Sequence, residues 1–127
     1  DLEQEAVFIH DLKEKYQEKF KIGYIELQNL YSLSDILLLT SSQEGFGLPM
    51  LEAAAKRLPI ACSDIPPCLE VTDKNALIFG LEDDPEEIAK RIIEFLRKQP
   101  TYKMFRRLMS DYSWEAIYSK YLTNLIK

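Results

Sequence analysis

Four consecutive apolar residues, Ile36-Leu37-Leu38-Leu39, run into a glycine-bearing loop, Thr40 to Gly47, and then into a helical pattern from Leu48 to Arg57. That order constrains the fold more than any other feature of the chain. The apolar run has the length of a strand. Lacking polar alternation, it predicts burial of both faces, as in a parallel sheet covered by helices. Pro49 falls in the first helical turn, where a missing N–H removes nothing. Further strands follow: Pro59-Ile60-Ala61-Cys62 reads as the next, and Ala76 to Phe79 as another, closed by Gly80. Ser63 to Pro67 reads as loop, because Pro66-Pro67 opposes both helix and central strand.

The intervening segments carry helical periodicity. Leu2, Ala6, Ile9, Leu12, Tyr16 and Phe20 predict an amphipathic first helix, and Phe20-Lys21-Ile22 a short strand stopped by Gly23. Leu27, Leu30 and Tyr31 predict a short helix before Asp35. Asp84-Pro85-Glu86-Glu87 is a helix start, with Ile88, Ile92, Phe95 and Leu96 on one face. Ser113 caps a last helix bearing Trp114, Ile117, Tyr118, Tyr121 and Leu125. Strands alternating with helices predict an α/β class, a Rossmann-like mainly parallel sheet with helices on both faces.

The totals exclude several functions. With 127 residues and 46% apolar content, the chain fits one domain with a real core. A net charge of -5 without a dense basic run argues against nucleic acid. The apolar runs are too short to span a bilayer. The acidic opening, Asp1 to Glu5, has no signal-peptide pattern and no initiator Met, which predicts a cut piece of a longer protein. Cys62 and Cys68, six apart, predict neither zinc nor a disulfide scaffold, and a reduced, cytoplasmic setting follows.

The loop from Thr40 to Gly47 is where chemistry is expected. In open parallel sheets, ligands sit beyond the carboxyl ends of the strands. Gly45 and Gly47 let backbone approach a ligand and adopt positive φ. The helix behind them turns its positive end toward the loop, which suits a phosphate. Glu44 on the loop and Glu52 about one turn inside the helix are acceptors for hydroxyl groups on either side of such a phosphate. The same residues also have a plainer reading. Glycine and proline punctuate strand-to-helix turns generally, and Glu52 favours the helix dipole without any ligand. A metal on Glu44 and Glu52 is a poor alternative, since no Asp or His stands at coordinating spacing.

Glu44-Gly45-Phe46-Gly47-Leu48-Pro49-Met50-Leu51-Glu52 resembles the E-x7-E signature of family 4 glycosyltransferases, retaining enzymes of the two-domain GT-B fold. Leu30-Tyr31-Ser32-Leu33-Ser34-Asp35-Ile36 resembles the family's "LYxxAD" approach, and Thr40-Ser41 stands where it usually has Pro-Ser. Leu58-Pro59-Ile60-Ala61 is similar to "GLPVV", Leu69-Glu70-Val71 to the "EIV" turn, Asn75-Ala76-Leu77-Ile78 to "NGLLV", and Tyr112-Ser113-Trp114 to "FSW". The resemblance runs in order from about residue 20 to residue 126.

It implies that residues 1–127 are a single partial donor-binding domain, the C-terminal domain of a GT-B enzyme, with 111–127 a C-terminal helix. Glu44 would hold donor-sugar hydroxyls. Gly45, Phe46, Gly47 and Leu48 would line the sugar and diphosphate pocket, and Glu52 would hold the ribose. The substrate implied is a nucleotide diphosphate sugar, with no permanent cofactor, usually no metal, and a hydroxyl acceptor. The family's diphosphate-gripping Arg and Lys have no match in this sequence, nor does its N-terminal acceptor domain. Pro66-Pro67 replaces glycines near the donor, Arg57 stands where a glycine is frequent, and Ala76 also replaces a glycine. The alternative is a non-catalytic GT-B-like interaction module. His10 reads as solvated or capping, and the Trp114, Tyr118 and Tyr121 stripe as cover for the sheet or a partner contact. Arg97, Lys98, Lys103, Arg106 and Arg107 read as a solvated basic face or a peripheral contact with anionic lipid. An open sheet edge would favour a homodimer of the fragment.

Overall fold

The computed structural model describes residues 22–98 and 101–123. The expected first helix, His10, Phe20-Lys21 and Leu125 lie outside them. The chain divides into two compact units between Leu30 and Tyr31. In the first, the Gly23 amide donates to the Glu26 carboxylate at 2.9 Å, at the start of helix α1 (Tyr24–Leu33). The last turn of α1 belongs to the second unit.

The second unit contains strands β1 (Leu37–Leu39), β2 (Ile60–Ser63) and β3 (Leu77–Phe79), paired in parallel in that order. Helices α2 (Leu48–Ala55) and α3 (Pro66–Thr72) make the two crossovers. Helix α4 (Pro85–Arg97) follows β3 and α5 (Thr101–Arg107) comes next. Single π-turns, Leu108–Tyr112 and Tyr118–Leu122, flank the short helix α6 (Trp114–Ile117). The α/β class with helices over both sheet faces is therefore present.

The register explains which helix covers which face. Leu37, Ile60, Leu39, Cys62 and Ile78 share one face. That face meets Met50, Ala53 and Ala54 of α2, Cys68 and Val71 of α3, and Met104 of α5. These residues form the main core. Leu38, Ala61 and Phe79 point to the opposite face, toward Ile88, Ala89 and Ile92 of α4. The expectation that the Ile36–Leu39 run is buried on both sides is corrected here, because Leu38 is 50% exposed. Helix α4 packs by β3, the far strand, and an apolar hollow of about 350 Å³ remains between it and Leu38.

A second correction concerns Pro66-Pro67. They do not make a loop; they are the first residues of α3, and Leu69 to Val71 lie inside that helix rather than in a turn. Ile65 before them is extended, as a residue preceding proline must be. The first helical turn has no intrahelical use for those N–H groups, so both prolines fit. The caps read from sequence are present: Asp84 accepts from the Glu87 amide and Ser113 from the Ala116 amide.

Arg57 shows why a glycine would suit its position. Arg57 N donates to Ala54 O and Leu58 N to Ala53 O, both at 2.9 Å, closing α2 with a Schellman motif. This places Arg57 at φ 58°, in the left-handed region. Its guanidinium lies 4.7 Å from the Phe105 ring centroid, which offsets part of the strain. Comparing two truncations removes that contact from both sides: Arg57→Gly is expected to be more stable than Arg57→Ala by about 1 kcal/mol in denaturant unfolding. Equal stabilities would contradict the strain.

Candidate functional site

The carboxyl ends of β1 and β2 open onto the Thr40–Gly47 loop. A hollow of about 520 Å³ lies there, lined by Ser42, Gln43, Glu44 and Gly45 on one side and Ile65, Pro66 and Pro67 on the other. Its size is in the range of small-molecule sites. Glu44 is half-buried at its wall, and its Oε1 accepts a 2.8 Å hydrogen bond from the Ser41 hydroxyl. Burial pushes the Cys68 thiol up, and Glu44 adds to that shift.

Gly47 caps α2 at φ 80° and ψ 36°. Its carbonyl accepts from the Met50 amide at 3.0 Å, and Pro49 has no N–H. An anion at this helix tip would therefore meet the Leu48 amide foremost, fewer donors than an open first turn offers. Gly45, by contrast, does not have positive φ. The expectation of left-handed backbone at both glycines holds for Gly47 alone. A Cβ added at Gly45 would meet nothing within 4 Å, so that position faces open space beside Glu44.

The other expected residues lie elsewhere around the loop. Glu52 is half-buried in α2 and is not among the residues lining the hollow. Its Oε2 accepts from the Tyr31 hydroxyl at 3.0 Å. Burial first, and then this bond and the Glu52 charge, push the Tyr31 phenol up to about 12. Phe46 is 55% exposed and sets its ring edge-on to Tyr112, centroids 6.3 Å apart. Leu48 is exposed as well. The structure thus brings Glu44 and Gly45 together at one wall and leaves Phe46, Leu48 and Glu52 outside its lining.

Neither cysteine fits a nucleophile. Both are free and fully buried. Burial, with Cys68 beside it, pushes the Cys62 thiol up to about 12, far from the thiolate that reactivity needs. Among the described residues, no three His, Cys, Asp or Glu side chains are grouped to hold a metal ion. Among the same residues, no helix is long and apolar enough to cross a membrane.

The sequence profile of the family "Glycosyl transferases group 1" matches residues 6–108, most of the chain. The chain belongs to the group 1 glycosyl transferases. Among curated relatives, the serotype-specific mannosyltransferase WbdA of Escherichia coli is 44% identical over 70 residues, 55% of this chain and 8% of that protein. The O-antigen chain mannosyltransferase RfbU of Salmonella typhimurium is 37% identical over 81 residues, 64% of this chain and 23% of that protein. A probable sucrose-phosphate synthase of Thermosipho melanesiensis is 32% identical over 108 residues, 80% of this chain and 25% of that protein. The chain thus spans a quarter or less of each of these three relatives.

Within this group 1 domain, the residues that sequence reasoning left without a role are hydroxyl donors. Ser41 holds Glu44, Tyr31 holds Glu52, and Ser63 donates to the Ser41 carbonyl at 2.6 Å. The signal for Ser41 was its place three residues before Glu44. Tyr31 is 21 residues from Glu52 and gave none.

Proposed function

We propose that this chain is the donor-binding part of a retaining glycosyltransferase. The whole protein moves a sugar, mannose in the first instance, from a nucleotide diphosphate sugar to a hydroxyl acceptor. The observation that carries this reading is Glu44: a half-buried carboxylate, fixed through one oxygen, at the wall of a hollow beyond the strand ends. A carboxylate so placed accepts hydrogen bonds from sugar hydroxyls. Glu52 takes the ribose with the oxygen that Tyr31 leaves unused. The mannose assignment is supported by the names of the relatives WbdA and RfbU. In this chemistry, catalysis consists chiefly of stabilising the departing nucleoside diphosphate, which preorganised donors can do. The protein works in the cytoplasm, at the membrane surface when its acceptor is lipid-linked, and no permanent cofactor is required.

The test uses the full-length protein. GDP, UDP and ADP are titrated while the melting temperature is followed, and GDP-, UDP- and ADP-linked sugars are then offered for turnover. One nucleotide is expected to raise the midpoint and its sugar to be consumed. Glu44→Ala is expected to weaken binding of that sugar nucleotide roughly 10- to 100-fold, the worth of a charge-assisted hydrogen bond. No response to any nucleotide at millimolar concentration, together with no donor consumed, would defeat the reading.

A second reading, a non-catalytic interaction module, is favoured by one observation. Pro66 and Pro67 line the hollow opposite Glu44, and neither has an N–H to offer a phosphate or a sugar. Glu44→Ala separates the two readings. It lowers transfer in an enzyme and leaves a scaffold's partner binding intact.

A further inference from the structure

Glu44 sits on a loop, and loops are the mobile parts of a domain. A glutamate there has three side-chain torsions to fix before it can serve as a shaped acceptor. The structure supplies a fixed support from the middle of the sheet. Ser63 is the last residue of β2, which is paired on both sides, and it is fully buried. Its hydroxyl donates to the backbone carbonyl of Ser41 at 2.6 Å. The Ser41 hydroxyl in turn donates to Glu44 Oε1 at 2.8 Å. Two short bonds therefore run from the central strand, through the loop backbone, to one oxygen of the acid. Ser41 itself is not among the residues lining the hollow, whereas Ser42 is.

We propose that Ser41 is the positioning residue of Glu44, itself fixed by Ser63, so that the carboxylate meets the donor sugar already oriented. This rests on the donor reading above. The Ser41 proton occupies Oε1, and Oε2 keeps its lone pairs for a sugar hydroxyl. Orienting the acid before binding spares the ligand that ordering, which is the general route by which preorganisation raises affinity. Ser41 acts only through Glu44 and makes no contact with the donor.

The experiment measures, by calorimetric titration, the affinity of the full-length protein for the GDP-, UDP- or ADP-linked sugar that the wild type consumes. Ser41→Ala is expected to weaken binding about fivefold. Ser41→Thr, which keeps the hydroxyl, is expected to stay within about twofold of the wild type. In a Glu44→Ala background, Ser41→Ala is expected to change nothing further, because its target is gone. A purely structural role would lower affinity equally in both backgrounds. Ser42→Ala serves as a control, since any effect it has persists without Glu44. The proposal is overturned if Ser41→Ala binds like the wild type, or if its loss is undiminished beside Glu44→Ala. Failure of the donor reading looks different: the wild type ignores GDP-, UDP- and ADP-linked sugars alike, or Glu44→Ala alone leaves affinity unchanged.

Discussion

Gly47→Ala is expected to destabilise the protein by about 2–4 kcal/mol and to lower its melting midpoint by roughly 10 °C. Two costs add. Gly47 is at φ 80°, where a side chain is disfavoured by about 1–2 kcal/mol. An added Cβ would also lie 2.2 Å from the Met50 methyl group. That methyl is the end of a flexible side chain, but Met50 is fully buried in the core, so its neighbours must repack when it shifts. Displacing a flexible methyl end falls in the lower part of the range for overpacking, about 1–2 kcal/mol. Gly45→Ala is the matched control. It has ordinary backbone and open space, so stability should change by less than about 0.5 kcal/mol. On the proposed donor reading, its methyl would instead enter the hollow that Gly45 lines and weaken donor binding. Equal stability losses at the two glycines would refute the assignment of the folding role to Gly47 alone.

That contrast shows how far the sequence could be read. The spacing of the two glycines is visible in the chain, but their difference is not. It depends on which residue lands on the helix cap in the left-handed region, and that residue is Gly47. The strand–loop–helix order was legible because continuous apolar residues, a glycine loop and a proline in the first turn all agree. The caps at Asp84 and Ser113 were legible for the same reason: capping is a contact between residues three apart. Pro66-Pro67 misled because a general rule against proline in helices was applied to a first turn, where it does not hold. The exposure of Leu38 escaped because an apolar run records what a strand prefers, and α4 reaches only the far side of that face. The basic residues after α4 offered no local sign that one of them, Arg107, is part of the fold. Arg107 pairs locally with Asp111, four residues on, but the partners that tie it to the fold lie 34 to 37 residues away.

Arg107→Met is expected to cost about 3 kcal/mol in denaturant unfolding, and most of that loss is expected to remain in 1 M salt. The reason lies at the end of α3. There the chain turns through two successive left-handed residues, Asp73 at φ 43° and Lys74 at φ 66°. Neither is glycine, so the turn is strained and needs partners. Arg107 supplies them: Nε donates to Val71 O and Nη2 to Glu70 O, each at 2.9 Å, while Nη1 meets Asp73 Oδ2 at 3.1 Å. The two carbonyls are among those a helix leaves unbonded at its C-terminus. Asp73 is largely exposed, so its ion pair contributes little and is screened by salt. The bonds to carbonyls are not screened in that way, and they carry the effect. Methionine preserves the length and apolar stem of the side chain but has no donor. Lysine keeps the charge but lacks the planar fork, so Arg107→Lys should recover less than about half of the loss. The consequence reaches the hollow, because α3 begins with the two prolines that form its far wall. Loosening the end of a seven-residue helix loosens its start, so on the proposed donor reading affinity should fall along with stability. A loss below about 1 kcal/mol, or one abolished by salt, would mean that Arg107 is only a surface ion pair.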